Sequence, residues 1–273
     1  MRHVIVCVSD LHVGSSTGLC PPDGHVLPDG NRAMPSPFQA WLWKCWQHFW
    51  GDVVAPWLDR ADKTALVLNG DLVDGNHHNT INLMSNSPQC QERTCADLLK
   101  PIAAKFGARH VVRGTEAHVQ PGAQSDERIG ELINAEKDEA GNFSTWQLWL
   151  DAGGEIFQFA HHIGTTSSAA YESSAPMREM VAGLVEAAQW GQPLPTVFVR
   201  SHRHRFIEVP VVSANGRIRI VITPAWQLRT PFTERIDRMR LPHIGGVVFV
   251  VEDERCQVLE KLYQLPAPKI VNL

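Results

Sequence analysis

The sequence predicts an α/β fold in a single domain, on three observations. Short apolar, β-branched runs recur at residues 4–8, 65–68, 110–112, 156–160 and 196–200, with the length and composition of buried strands. Segments with helical spacing separate several of them. Each run stops at a loop that opens with Asp, His or Gly, and in α/β sheets strand ends are where ligand-binding groups gather.

Taken in order, residues 4–8 form a strand that ends at Ser9-Asp10-Leu11-His12. The Gly-, Pro- and Ser-rich stretch 14–37 reads as a long loop. Over residues 38–58, Trp43, Trp46 and Trp50 recur at i, i+3 and i+7, which is one face of a helix. Packing of that face into the core is preferred over a stacking platform for a base, and residues 14–60 together read as a Trp-rich loop and helix insertion. A second strand, 65–68, runs into Asn69-Gly70-Asp71, and 75–89 is polar loop. Residues 92–106 suit a helix that Pro101 should kink or split. A third strand, 110–112, ends at Arg113-Gly114. Residues 143–150 alternate as a strand covered on both faces. Gly153-Gly154 is a hairpin turn, and the strand 156–160 ends at His161-His162. Residues 174–190 form the clearest helix. Ser174 can cap it, and Met177, Met180, Val181, Leu184, Val185 and Ala188 make its apolar stripe. The strand 196–200 ends at Ser201-His202-Arg203-His204. Strands 207–212 and 217–223 flank Asn215-Gly216, a hairpin signal, and strands 247–251 and 258–262 close the domain.

Composition narrows the function classes. A chain of 273 residues buries about 73% of its unfolded surface by area scaling, so it needs no covalent staples. A hydrophobic share of 44% with 20% charged residues excludes disorder as the overall state. The net charge of −4 excludes a strongly basic coat for duplex binding, though not a local basic groove. Six scattered cysteines without a C-x-x-C pair match neither a zinc ribbon nor a secreted disulfide framework. No apolar run reaches a membrane-spanning length, and the apolar start of the chain is too short for a signal peptide. These features point to a reducing, cytoplasmic setting with no membrane partner, and they leave the oligomeric state open.

The side chains at the strand ends carry the chemistry. In order they are Asp10-x-His12, Gly70-Asp71-x-x-Asp74, Gly114-Thr115-Glu116-Ala117-His118, His161-His162 and His202-x-His204. Imidazole with carboxylate suits Mn, Zn, Fe or Ni and not a calcium cage of oxygens. Residues i and i+2 of an extended segment point the same way, so Asp10 with His12, and His202 with His204, can each aim two donors at one point. A carboxylate such as Asp71 can bridge two cations. Two cations ~3.5–4 Å apart clamp the attacking and leaving oxygens of a phosphoryl displacement.

This pattern resembles the calcineurin-like metallophosphoesterases, whose motifs read D-x-H, G-D-x-x-D, G-N-H-D/E, H and G-H-x-H. The resemblance runs from Asp10 to His204. It implies a four-layer αββα sandwich with two mixed β-sheets, a metal site at the C-terminal ends of the strands, and two divalent transition metal ions, one of them weakly bound if its ligand set is altered. By it, Asp10, His12 and His204 hold one metal, Asp71 bridges, and His161 and His202 hold the second. Asp74 orients a ligand. His161 is the ligand as the first histidine after its strand, and His162 faces substrate. Two departures stand out. Ser201 replaces the family glycine before His202. In the third motif Thr115 sits at the Asn position, Glu116 at the His position, and His118 comes two residues late. Thr115 and Glu116 are therefore both candidate ligands, and His118 is the candidate general acid if the loop bulges.

Around this centre, His77 and His78 are candidates to line the site. Arg113, Arg203 and Arg229 are candidates for the non-reacting phosphate oxygens. Arg203, lying between two ligand histidines, points away by parity and can pair with a surface carboxylate instead. Trp226, after Thr223-Pro224-Ala225, is a candidate stacking residue where the resemblance implies a loop bordering the active site. The function expected is hydrolysis of a phosphomono- or phosphodiester by a metal-bridged hydroxide. The substrate is a small phosphodiester, a nucleotide or a short nucleic acid. The alternative is a catalytically weak protein-binding scaffold on the same fold, which the altered third motif supports.

Overall fold

The structure is a computed structural model describing residues 1–77, 81–164, 168–213, 216–236, 240–267 and 270–271. Its strands are β1 (His3–Val8), β2 (His25–Val26), β3 (Arg32–Ala33), β4 (Lys63–Asn69), β5 (Ala108–Val112), β6 (Leu148–Ala152), β7 (Glu155–Phe159), β8 (Val197–Arg200), β9 (Ile207–Ser213), β10 (Gly216–Ile222), β11 (Ile244–Glu252) and β12 (Arg255–Tyr263). Its α-helices are α1 (Pro37–His48), α2 (Ala55–Leu58), α3 (Pro88–Ala103), α4 (Glu116–Val119), α5 (Gln124–Leu132), α6 (Ser174–Trp190) and α7 (Pro231–Ile236).

Two five-stranded mixed sheets dominate, in the orders β12-β11-β1-β4-β5 and β6-β7-β8-β10-β9. In the first, β1, β4 and β5 run parallel. In the second, β7, β8 and β10 do. Alternation along each strand decides what each face buries. Val4, Val6 and Val8 of β1, with Leu66 and Leu68 of β4, join a core shared with Leu42, Trp46, Leu99, Ile102 and Ile129 of the helices. Ile5, Cys7 and Val67, from the opposite face, meet Phe157, Phe159, Val197, Val199 and Val221 of the second sheet. The outer face of that sheet, with Phe198, Ile218, Ile220 and Ile222, packs on Met180 of α6. Three cores between helix, sheet, sheet and helix make the chain a four-layer αββα sandwich.

Local chemistry accounts for the elements. Ser36 caps α1 with its hydroxyl accepting from Gln39 N, and the Gln39 side chain answers at Ser36 N. Ser87 caps α3. Pro101 neither splits nor ends that helix early, because it falls in the last turn before Ala103. The Trp-rich segment is helical but changes character, with a π-helical stretch at Phe49–Val54 between α1 and α2. It seats Phe49 against β11, where a Cβ on Gly246 would come 2.5 Å from the Phe49 ring. Trp46 and Trp50 are buried there, as core packing requires.

Two sequence expectations change. Residues 143–147 are not a strand. Thr145 makes one parallel bridge to Val112, and the strand proper begins at Leu148. The stripe on α6 is only half used: Met180 is fully buried, whereas Met177, Val181 and Val185 are exposed. Gly153 and Gly154 make the expected turn with φ of 61° and 92°, and β9 pairs antiparallel with β10. The Asn215 turn signal lies outside the described residues. No helix among the described residues is long and apolar enough to cross a membrane.

Candidate metal centre

Asp10 follows β1, Asp71 follows β4, Thr115 follows β5, His161 follows β7 and His202 follows β8. The ends of the parallel strands of both sheets thus meet at one edge of the sandwich. The convergence of Asp10 with His12, and of His202 with His204, does not come from extended-chain parity. Asp10, His12, Asp71, His202 and His204 all have left-handed φ, between 44° and 71°. Asp and His tolerate that region better than most side chains, yet each such residue still costs on the order of 1–3 kcal/mol. The surrounding contacts must over-determine them.

Two glycines let the strand ends close around Asp71. A Cβ on Gly114 would lie 2.2 Å from Asp71 N, and one on Gly70 would lie 2.5 Å from His161 Nδ1. A buried hydroxyl and amide network ties the two sheets together beneath the site. Ser9 Oγ and Ser201 Oγ each lie 2.7 Å from Thr223 Oγ1, and Asn69 Nδ2 donates to Ser201 Oγ at 2.6 Å. Ser201 therefore has work that glycine could not do. The sequence signal was present in Ser9 and Ser201, which directly precede Asp10 and His202.

Besides His12 with Asp74 and His118, which also converge, two adjoining sets hold the expected ligands. Asp10, His12 and His204 converge with their atoms within 4.8 Å of one another, and so do Asp71, His161 and His202. In the first set, His204 Nε2 stands 3.2 Å from Asp10 Oδ1 and 3.3 Å from His12 Nε2. His12 is oriented through Nδ1, 2.9 Å from Asp74 Oδ1. In the second set, Asp71 Oδ2 lies 3.0 Å from His161 Nε2 and 3.9 Å from His202 Nδ1. His161 is oriented by Nδ1 against the Asn69 carbonyl, at 2.7 Å. Asp10 Oδ1 links the sets, since it is also 4.0 Å from His161 Nε2. That oxygen is buried and, although His204 Nε2 stands 3.2 Å away, makes no well-aligned hydrogen bond. A buried carboxylate oxygen surrounded by ring nitrogens, of which those of His12 and His161 are oriented by partners behind them, fits a divalent transition metal.

The electrostatics agree. Burial pushes the Asp10 carboxyl up, but His204 and then His161 outweigh it and hold it at about 2. Asp71 and Asp74 are likewise held below the usual carboxylate range against burial, by His161 and by His12 respectively. Burial opposes charge on His161, yet Asp71 beside it raises it to about 10. A proton therefore stands on His161, between two carboxylates, in the metal-free protein.

The third motif resolves differently from its sequence reading. The Thr115 amide donates to Asp71 Oδ1 at 2.6 Å, and its hydroxyl lies 3.2 Å from Asp71 Oδ2, 3.2 Å from His202 Nδ1 and 3.3 Å from His162 Nε2. Thr115 thus reaches the second set. Glu116 does not: it opens α4, is exposed, and accepts from Gly122 N at 3.1 Å. His118 arrives without a bulge, because the single turn of α4 carries it back over the site. Its Nδ1 donates to the Asp74 carbonyl at 2.9 Å, and its ring lies 4.6 Å from that of His12. Burial and then His12 hold it down at about 4.

His77 also reaches this side, its Nε2 being 3.8 Å from Asp74 Oδ2, while His78 lies outside the described residues. His162 is exposed beside Thr115. Trp226 cannot stack on a substrate. It is wholly buried, its ring 4.8 Å from that of Trp46, and it serves the site only through its amide, which donates to the Asp10 carbonyl at 3.0 Å. Arg113 is held by Ser144 and Glu127. Arg203 donates to the Glu172 carbonyl and not to a carboxylate. Arg229 pairs with Glu234. Two contributors were missed. Gln227 donates to Asp74 Oδ1 at 3.3 Å. Asp126, in the first turn of α5, accepts from Gly114 N at 2.7 Å.

No protein-family profile and no curated protein matches the sequence. Solved structures of similar shape include zinc-complexed Vps29 of Entamoeba histolytica, at 11% identity and TM-score 0.41, over 94% of this chain and 98% of that one. A metallophosphoesterase of Sphaerobacter thermophilus aligns at 12% identity and TM-score 0.37, over 97% of this chain and 90% of that one. Vps29 of Cryptosporidium parvum aligns at 8% identity and TM-score 0.39, over 97% of this chain and 99% of that one. At these scores the likenesses carry no argument about the site or its activity.

Proposed function

We propose that the protein is a metal-dependent phosphoesterase, and one observation carries the reading: two carboxylate and imidazole sets share one strand-end edge, with the buried Asp10 Oδ1 facing ring nitrogens of both. Asp10, His12 and His204 would hold one divalent cation. Asp71, His161 and His202 would hold a second, with Thr115 Oγ1 in place of an amide oxygen. Asp71 would be the bridge by the motif resemblance, and Asp10 Oδ1 is the carboxylate oxygen that faces both sets. Bound there, the cations supply charge stabilisation and a water of lowered pKa. Asp74 and Gln227 fix the His12 ring. His118, neutral at pH 7 with Nδ1 committed to the Asp74 carbonyl, would take a proton at Nε2 from solvent and pass it to a leaving oxygen as negative charge gathers there.

The test is Asp71→Asn. Hydrolysis of bis-p-nitrophenyl phosphate in Mn, Zn, Fe or Ni should be abolished, and bound metal should fall below one per chain. Near-normal turnover overturns the assignment. The competing reading, a scaffold with little catalysis, draws on the exposed apolar face of α6. It requires wild-type protein that purifies with little metal and shows no EDTA-sensitive cleavage.

A further inference from the structure

Three arginines gather beside the metal-competent histidines, and the reaction as derived so far does not use them. Arg203 and Arg205 alternate with His202 and His204 on one loop, so consecutive Cα atoms lie only ~3.8 Å apart. Arg240 reaches the same place from a distant segment. That segment is stitched to the ligand loop, because His243 N donates to the His204 carbonyl at 2.8 Å and Phe206 N to His243 Nδ1 at 3.0 Å.

Glu172 stands at the centre of this cluster. Arg205 grips its carboxylate with Nε at 3.0 Å and Nη2 at 3.2 Å. Arg240 Nη1 lies 3.9 Å from the same carboxylate. Arg203 Nη1 donates to the Glu172 backbone carbonyl at 2.9 Å. The guanidiniums are partly accessible, with Arg205 22% and Arg240 20% exposed at the side chain. A protein of net charge −4 thus concentrates positive charge at the rim of its candidate centre.

We propose that Arg203, Arg205 and Arg240 form an anion subsite that binds a phosphate group of the substrate other than the one attacked, and that Glu172 is the resident counter-ion this phosphate displaces. The proposal rests on the phosphoesterase reading and narrows it to substrates with at least two phosphates, a polyphosphate or an oligonucleotide. Guanidinium forks match phosphate oxygens in plane and spacing. A polyphosphate, carrying more charge than a carboxylate, competes for them through charge, and an oligonucleotide's singly charged diesters compete through their number.

The experiment is equilibrium binding to the full chain in EDTA, so that no outcome depends on hydrolysis. The probes are pyrophosphate and a 5′-fluorescein-labelled oligothymidylate. Wild type should bind at least one of them. Arg203→Ala with Arg205→Ala should weaken that binding at least tenfold, and the Arg→Lys pair, which keeps the charge and loses the fork, should recover only part of it if the fold is intact by circular dichroism. Glu172→Gln should tighten binding several-fold by removing the competitor. If the cluster is only a structural lock, Glu172→Gln lowers thermal stability and leaves affinity unchanged, and the proposal fails. It fails equally if neither probe binds, or if the alanine pair binds as wild type does. Displacement of the oligonucleotide by pyrophosphate identifies small polyphosphate as the source. A steep salt dependence without displacement identifies the nucleic-acid backbone. Binding that behaves as expected in a protein without hydrolytic activity would refute the phosphoesterase reading alone.

Discussion

At the scale of single residues, the third motif separates what position in a pattern can tell from what geometry tells. Alignment by count put Glu116 where a proton donor belongs and left His118 two places late. One turn of α4 reverses this: Glu116 turns to solvent and Gly122, and His118 closes over His12 and Asp74. His118 is held at about 4 by burial, so it holds a proton only while an anion is forming beside it. His118→Ala should therefore cost ~10²–10³ in kcat on an alkyl phosphodiester, whose leaving oxygen needs the proton. The loss on bis-p-nitrophenyl phosphate should be far smaller, because p-nitrophenolate departs unaided. Equal losses on the two substrates would remove His118 as the proton donor. Asp74 and Gln227 act one step back, and only the first was legible. A Gly-Asp-x-x-Asp spacing can be read from the chain, whereas nothing around Gln227 announces that it will donate to Asp74 from 153 residues away.

Among the elements, the strands were readable because β-branched runs between loops have few other uses, and α6 because its length agrees, although Ser174 lies inside it and no side chain caps it. The short polar helix α5 was not. Its sequence, QSDERIGEL, buries Ile129 but otherwise shows little apolar periodicity, so only tertiary contact reveals it. That contact matters, because Asp126 in its first turn holds Gly114 and through it the Thr115 loop. Asp126 is fully buried, and burial, with Asp71 adding to it, raises its carboxyl from 3.8 to about 7. The folded chain therefore keeps a proton that the unfolded chain releases between about pH 4 and 7, so this residue's contribution to stability is lost as pH rises through that window. Asp126→Asn cannot titrate and can still accept from Gly114 N. Relative to wild type, the variant should gain stability on going from pH 4.5 to pH 8, by on the order of 3 kcal/mol, in urea unfolding of EDTA-treated protein. A difference that stays flat with pH would show that the Asp126 carboxyl is not held protonated by its surroundings.

The whole molecule explains why donors so far apart in sequence meet. Layers are visible one strand at a time as alternating residues, but which sheet a strand joins is not, and the centre exists only because β1, β4 and β5 of one sheet end beside β7 and β8 of the other. The cost of that meeting is three buried carboxylates, Asp10, Asp71 and Asp74, at 0%, 1% and 4% exposure, offset in the metal-free protein by imidazoles and by the proton that Asp71 keeps on His161. A divalent cation would take over that role, and the folded state alone has the assembled site. Metal should then stabilise the fold by mass action, by ~2.7 kcal/mol at a hundredfold excess over Kd. That corresponds to a rise in Tm on the order of 5 °C for a chain of this size, reversed by EDTA. With His161 at about 10, loading at pH 8 should also release about one proton for the second cation, readable with a pH indicator in weak buffer. Asp10→Asn should reduce the rise in Tm without removing the proton release, because His161 keeps Asp71. A wild-type protein whose Tm and proton inventory ignore Mn, Zn, Fe and Ni alike would show that these side chains converge for structural reasons, and the scaffold reading would then stand.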